Sequence, residues 1–313
     1  MKLTETSKVD KEEVEKIDFD LFVCSSGYEQ RACFIAQTVK INARHKVVFC
    51  FKNHLTEKFR LLNDKFYSFN KFTFIYEEGN QTINITKILN ELMLTSGTTV
   101  NIAVDYSSMT SVWYSAIVSY FNVLNSNKQV NLYFFYCFAE FSAPNYFNVR
   151  NTNIGPMKDF SSLSIPDKPT AIIIGLGYED EKAFGLTEYF DAETYLFIAD
   201  QSVSVNYYNE VLRANKSLID NTKAENIFEY SLLYLDHSES LLYSVCKSLK
   251  SDYRLVLAPT GPKPFMLLCL LTASRLMEID VWRISVGVYG GPSNKKPNGC
   301  WSCYSALFSA FAR

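Results

Sequence analysis

The apolar positions of this chain fall into two alternating kinds of segment. One kind is a short unbroken run. Phe19–Cys24, Lys46–Phe51, Phe72–Tyr76, Val100–Val104 and Val130–Phe138 occupy the first half, and Ala171–Ile174, Thr194–Ala199, Ile227–Leu233, Leu255–Ala258 and Val281–Val288 the second. Runs of this length without alternation read as strands buried on both faces. Between them lie stretches of helical spacing: Glu29–Ala43, Leu55–Phe66, Asn84–Leu94, Ser107–Leu124, Asp180–Tyr189, Val205–Leu218, Ser238–Leu249 and a helix starting near Phe265. Ile85, Ile88, Leu89 and Leu92 share one face of such a helix, as do Leu241, Leu242, Val245 and Leu249. Strand alternating with helix predicts an α/β fold with mainly parallel sheets.

The pattern runs twice. Gly27-Tyr28-Glu29 recurs as Gly177-Tyr178-Glu179, and the strand that ends in Asp105 aligns with the one that ends in Pro259 at nearly the same spacing. Two strand–turn–helix pairs in the same order point to a duplicated unit with a pseudo-two-fold relation. The expected domains are 1–140 and 169–313. The stretch 141–168, which carries Pro144, Pro156, Pro166 and several Asn, is the expected connection. Residues 1–16 read as a polar lead with a short helix from Lys8. Tyr289–Gly299 reads as a loop, and Cys300–Phe311 as an edge strand or short helix of the second domain.

Composition narrows the function classes. Apolar residues make up 48 % of the 313 and aromatics 15 %, enough for two real cores. The formal charge of −2 does not indicate direct binding to nucleic acid. No apolar run reaches the roughly 18 residues of a membrane span. The N-terminus is charged and lacks a signal-peptide core, so the expectation is a cytoplasmic chain with no membrane partner. Six of the eight cysteines sit singly in apolar stretches, as buried thiols do. Cys300 and Cys303 form one C-x-x-C. Without a second pair or a nearby His, it reads as a buried end segment and not as a metal site. His45, His54 and His237 are scattered, so no cofactor and no metal are expected.

In a parallel α/β sheet the ligand sits at the carboxyl ends of the strands. That places Ser25, Ser26, Gly27, Asp105, Ser107 and Ser108 toward one crevice. Gly177, Glu179, Asp200, Thr260, Gly261 and Lys263 occupy the matching places of the second half. Asp105 or Ser107 can cap the following helix, or Asp105 can meet a polar ligand group. Gly27 and Gly177 fit either a turn with positive φ or close approach of backbone to a ligand. Glu29 complements a helix dipole, whereas Arg31 runs against it. Arg31 therefore reads as a binder of phosphate or carboxylate, or as a surface partner of Glu29 or Asp18. Lys263 is a phosphate ligand or a solvated cation. Arg31 and Lys263, taken as exposed, are expected to matter for binding an anion and little for stability.

A strand followed by Ser25-x-Gly27-x-x-x-Arg31, and later a strand leading into Asp105-Tyr106-Ser107-Ser108, resembles the CRISPR-associated Rossmann-fold domains and their fused form, the SAVED domains. In the second half Gly175, Gly177, Thr260, Gly261 and Lys263 take those places, with Glu181 where the Arg would stand. The resemblance implies two tandem Rossmann-like domains. It also implies a nucleotide ligand, in particular a cyclic oligonucleotide messenger, and a protein effector or partner subunit in antiviral defence. Two other readings stand beside it. One is an enzyme acting on a nucleotide through Glu29, Asp105 or Glu179. The other is an assembly subunit without catalysis.

Overall fold

The computed structural model describes residues 1–143, 151–162, 167–179, 182–286 and 294–310. The chain divides into two compact units, Met1–Glu140 with Pro292–Arg313, and Phe141–Gly291.

The first unit opens with β1 (Lys2–Lys8) and α1 (Lys11–Val14). Then come β2 (Asp18–Ser26), α2 (Phe34–Thr38), β3 (Asn42–Phe51), α3 (Lys58–Phe69), β4 (Thr73–Glu77), α4 (Ile83–Thr95), β5 (Thr99–Asp105), α5 (Ser111–Val123) and β6 (Gln129–Ala139). The second unit holds β7 (Asn151–Pro156), β8 (Thr170–Gly175), α6 (Lys182–Phe190), β9 (Glu193–Ala199), α7 (Val205–Ala214), α8 (Lys216–Asn221), β10 (Ile227–Tyr230), α9 (Leu235–Leu249), β11 (Arg254–Pro259), α10 (Lys263–Arg275) and β12 (Ile279–Val286). The chain then returns to the first unit as β13 (Pro297–Ser309).

The seven-stranded sheet has the order β1-β13-β6-β5-β2-β3-β4, and the six-stranded sheet β10-β9-β8-β11-β12-β7. The strands β2 to β6 run parallel, as do β8 to β12. Within each parallel set, chain order maps to spatial order in the same way: third, second, first, fourth, fifth. This is the Rossmann-like arrangement, present twice. In both sheets an antiparallel strand flanks the fifth, β13 beside β6 and β7 beside β12.

The two sequence anchors of the repeat are one residue out of step. Val23 pairs with Val104, and Ile174 with Ala258. Setting Asp105 on Pro259 therefore sets Gly27 on Tyr178 and not on Gly177. The strand ends correspond, but one of the turns carries a one-residue offset.

Several expected elements change. The tail is not part of the second domain. β13 pairs with β6 from Trp301↔Cys137 to Phe308↔Val130 and with β1 on its other side. Cys303 lies in one core cluster with Phe19, Cys24, Val48 and Phe135. The polar lead therefore carries an edge strand, β1, anchored by buried Leu3. The expected connection contributes β7, whose Ile154 pairs with Ile284; Pro144 and Pro166 lie outside the described residues. The expected helix 29–43 shrinks to a 3₁₀ turn, Gln30–Cys33, and α2, because Asn42 already begins β3 alongside Asp18. Residues 287–288 of the last expected strand, 289–293 of the expected loop and the helix start at 180–181 also fall outside the described residues.

Burial follows the apolar runs. Every β2 residue from Phe19 to Ser26 is buried, and in α10 the whole stretch Pro264–Thr272 is. α10 packs on α9 and on β11 and β12, so it has little polar face to show.

Candidate functional site

Strand order reverses direction between β2 and β5, so their connections leave on opposite sides and a crevice opens at their carboxyl ends. There the first unit has a cavity of about 180 Å³ lined by Gly27, Tyr28, Glu29, Phe51, Asn53, His54 and Ser108. The lining comes from the turns after β2, β3 and β5. Its walls are aromatic. Tyr28 meets His54 edge-on with centroids 5.2 Å apart, and Phe51 stacks on the buried Trp113 at 4.5 Å. His54 holds a left-handed backbone, φ 54°, a strained choice for a residue with a side chain.

The polar end of the cavity is Glu29. Its Oε2 accepts from Arg31 Nε at 2.8 Å and from Ser108 Oγ at 2.9 Å. Arg31 is not an exposed cation: it is 5 % exposed. Its Nη1 donates to the Tyr136 hydroxyl at 3.1 Å and to the Cys137 carbonyl at 2.9 Å, and its guanidinium lies 5.3 Å from the Tyr136 ring centre. Burial works against its charge, but Tyr136 and Glu29 outweigh burial and hold the guanidinium above its ordinary value. The pair with Glu29 that the sequence suggested is formed, and it is buried instead of at the surface.

Asp105 and Ser107 do not cap the helix. Asp105 Oδ1 accepts from Ser107 N at 3.0 Å and Ser107 Oγ at 2.6 Å, closing an Asx turn. Ser107 Oγ in turn accepts from Cys137 N at 2.8 Å. The cap of α5 is Thr110, which accepts from Val112 N. Asp105 is 1 % exposed and lies behind the cavity. Burial first, and then its charge, pushes the Cys33 thiol up to about 11 and the Cys137 thiol up to about 12.

Two supports were missed in the sequence. Asn63 on α3 donates to the carbonyls of Gly27 and Glu29, both at 2.9 Å, and accepts from Cys33 Sγ at 3.2 Å. Arg60, fully buried, grips Asp64 and donates to the Phe51 carbonyl at 2.7 Å, while Ser26 Oγ donates to Asp64 at 2.5 Å. Both sit on a predicted helix as polar residues at inward positions, the one signal that could have revealed them. The tail also takes part: Gln30 N donates to Asn294 Oδ1 and Arg31 N to the Lys295 carbonyl. Ser25 is buried outside the lining, its hydroxyl without a hydrogen-bond partner among the described residues.

The second unit assembles Gly177, Thr260 and Gly261 into a different object. Thr260 N and Oγ1 both donate to the Gly175 carbonyl, at 2.9 and 2.8 Å. A Cβ on Gly177 would lie 2.5 Å from the Thr260 carbonyl oxygen, and one on Gly261 would lie 2.3 Å from that of Leu176. Neither glycine has positive φ. They let the turns after β8 and β11 lie directly on each other. Gly27, without positive φ, meets only the Phe51 ring at an ordinary 3.4 Å. Asn215 donates to the Gly177 carbonyl at 2.8 Å, as Asn63 does to Gly27. Asp200 closes an Asx turn onto Ser202. Lys263 opens α10 half-buried, and Glu179 is exposed.

Among the sequence candidates, the structure therefore gathers Gly27, Glu29 and Ser108 around the cavity, with Ser26, Arg31, Asp105 and Ser107 behind it. Cys303 lies in the core while Cys300 is exposed, and the described residues hold no cluster of three or more metal-ligating side chains. No described helix is long and apolar enough to cross a membrane.

No family model matches the chain, and no curated protein does. Among solved structures it is similar to a GsuK channel bound to NAD, at 9 % identity over 85 % of this chain and 62 % of that one. The TM-score is 0.19, and a likeness of that degree carries no argument about ligand or activity.

Proposed function

We propose that this chain is a nucleotide-binding protein whose ligand seats at the carboxyl end of the first parallel sheet. The carrying observation is the cavity at the β2/β5 reversal, with aromatic walls from Tyr28, Phe51 and His54 and a polar end from Glu29 and Ser108. Bases stack on such rings irrespective of sequence. At about 180 Å³ the cavity is smaller than the ~300–1,000 Å³ of drug-sized ligands, so it takes one unit of a nucleotide and leaves the remainder outside. Glu29 is held by Arg31 and Ser108 as a fixed anion, which suits recognition better than proton transfer. The Rossmann-like order and the Ser25–Arg31 and Asp105–Ser108 motifs favour a sensor of a nucleotide messenger that acts through a partner in prokaryotic defence.

Melting the protein with a panel of nucleotides and cyclic oligonucleotides, and chromatographing the mixtures afterwards, tests this reading. A rise in Tm without product is the expected result. Product formation would make the chain an enzyme on that nucleotide. No shift with any member of the panel overturns the proposal.

A further inference from the structure

We propose that the outer face of α3 is the docking surface for an acidic amphipathic helix of a partner protein. The helix has two unlike sides. Arg60, Asn63 and Tyr67 are buried and tie it down, through the carbonyls of Phe51, Gly27, Glu29 and Ala32. On the other side Leu61, Leu62 and Phe69 are 56 %, 51 % and 86 % exposed. Leu62, Phe66 and Phe69 recur at i, i+4 and i+7, so they share one stripe. With Lys65 and Ser68 they line a recess of about 510 Å³. An apolar stripe on a surface helix ordinarily faces its own core. Here the core side is already engaged, and a second stripe of this kind marks an interaction surface.

Charge selects the occupant. Lys58, Lys65 and Lys71 are exposed, and none of them has an ion pair among the described residues. Between Lys58 and Lys71 the only acid is Asp64. Its carboxylate is taken by Arg60 Nε, 2.9 Å from both oxygens, and by Ser26 Oγ. Glu57, just before the helix, is the nearest exposed acid in sequence. The stripe is thus cationic in a chain whose formal charge is −2. A second copy of this chain, set across a two-fold axis, would bring lysine against lysine, and like charges repel. A single-stranded nucleic acid stacks on several exposed rings. Leu61 and Leu62 are aliphatic, and Phe66 is half-buried, which leaves Phe69 as the one ring of the stripe that stands out into solvent. A lipid surface has no knob to fill a recess. A helix with apolar residues at the same spacing and Asp or Glu on its flanks fits on both counts. Its apolar side chains enter the recess, and its carboxylates meet the lysines.

Anisotropy titration of the full chain with a fluorescein-labelled synthetic helix, about 18 residues or five turns long, tests the assignment. One peptide carries Leu and Phe at i, i+3, i+4 and i+7 with Glu on the flanks. A second carries Lys in place of each Glu. The Glu peptide is expected to bind, and the Lys peptide about tenfold more weakly or worse. Phe69→Ala is expected to weaken the Glu peptide by about ten- to thirtyfold, as the loss of an interface anchor does. Lys65→Glu is expected to reverse the preference between the two peptides. Leu94→Ala removes an apolar side chain of like exposure, 85 %, from α4, and is expected to change nothing. All three positions are exposed, and an unchanged Tm checks that each variant folds. Equal binding of both peptides, binding that Phe69→Ala and Lys65→Glu leave intact, or no binding overturns the proposal. Phosphatidylserine vesicles, a thymidine oligonucleotide and sedimentation of the chain alone complete the series. Vesicle binding, oligonucleotide binding or a dimer that Phe69→Ala abolishes would overturn it too and give the face to that occupant. The nucleotide-binding reading stands under each of these outcomes, because no residue lining the cavity is changed.

Discussion

The two units share one strand order and put their matching turns to opposite uses. In the first, the turn after β2 stands off from its neighbours. Asn63 holds it from behind, and the gap in front is the aromatic cavity. In the second, the turn after β8 lies on the turn after β11, with Thr260 bonded twice to Gly175, so the matching crevice is filled by the chain itself. The same three residues, Gly-Tyr-Glu, occur in both places. In one the glycine is optional by sterics, and in the other it is obligatory. A repeated motif therefore marks a repeated fold, and packing decides whether the repeat is open or shut.

The sharpest way to break this comparison is at the glycines. Gly261→Ala brings a Cβ to 2.3 Å from a carbonyl oxygen, a backbone contact that no side-chain rotation relieves. It is expected to destabilise the second unit by about 3 kcal/mol or somewhat more, read as a lowered urea midpoint. A neutral result would mean the turns are not in contact and the second crevice is open. Next comes Arg31→Ala, which strips a buried cation from Glu29, Tyr136 and Cys137. Removing one partner of a buried pair costs about 3–5 kcal/mol. The partial exposure of Glu29, 18 %, reduces the expected loss to roughly 2–3 kcal/mol. An unchanged midpoint would restore Arg31 to the surface role that the sequence suggested.

Asn63→Ala and Asn215→Ala ask whether the shared clasp is worth the same in both units. Each removes the side-chain donor from a turn carbonyl, that of Gly27 in one unit and of Gly177 in the other, at about 1–2 kcal/mol. Only Asn63→Ala is expected to weaken nucleotide binding, because only its turn lines the described cavity. Gly27→Ala is the small partner of Gly261→Ala. Its Cβ would rest at 3.4 Å from a side-chain ring, and its cost is expected within about 0.5 kcal/mol. Smallest of all is alkylation of Cys300. Exposed, it should react with a thiol reagent at pH 8 without moving the Tm. Cys33, pushed up to about 11, and Cys50, pushed up to about 12 by burial, should wait for unfolding. Fast modification of a second thiol in the native protein would contradict the burial of the rest.

The strands and their order of appearance were legible because parallel strands buried on both faces leave long apolar runs, as in Phe19–Cys24 and Ala171–Ile174. The duplication was legible for the same reason. The partners of β13 were not. WSCYSALFS follows the second unit in sequence, and pairing with β6 and β1 is a non-local choice that leaves no local mark. Of the cavity's lining, Gly27, Glu29 and Ser108 were singled out from position alone, because they follow strand ends. Arg31 was read as a surface cation, and the structure buries it. Its depth depends on Tyr136 and on the tail, which meet it only after folding. Asn63 and Arg60 escaped because a polar residue on the inner face of a helix looks like an interruption of an apolar stripe. Its purpose appears only when the carbonyl it serves is known.

The return of β13 also sets an order of events during synthesis. Everything needed for the second unit emerges from the ribosome before Pro297, whereas the first sheet still lacks the strand between β1 and β6. Until then β6 exposes a free edge, a hazard for pairing with other chains. The Asn294 and Lys295 contacts that steady the turn carrying Arg31 are also missing. The unit whose synthesis starts first is therefore completed after the second unit, and the cavity at the carboxyl end of its sheet becomes competent only once β13 has been made.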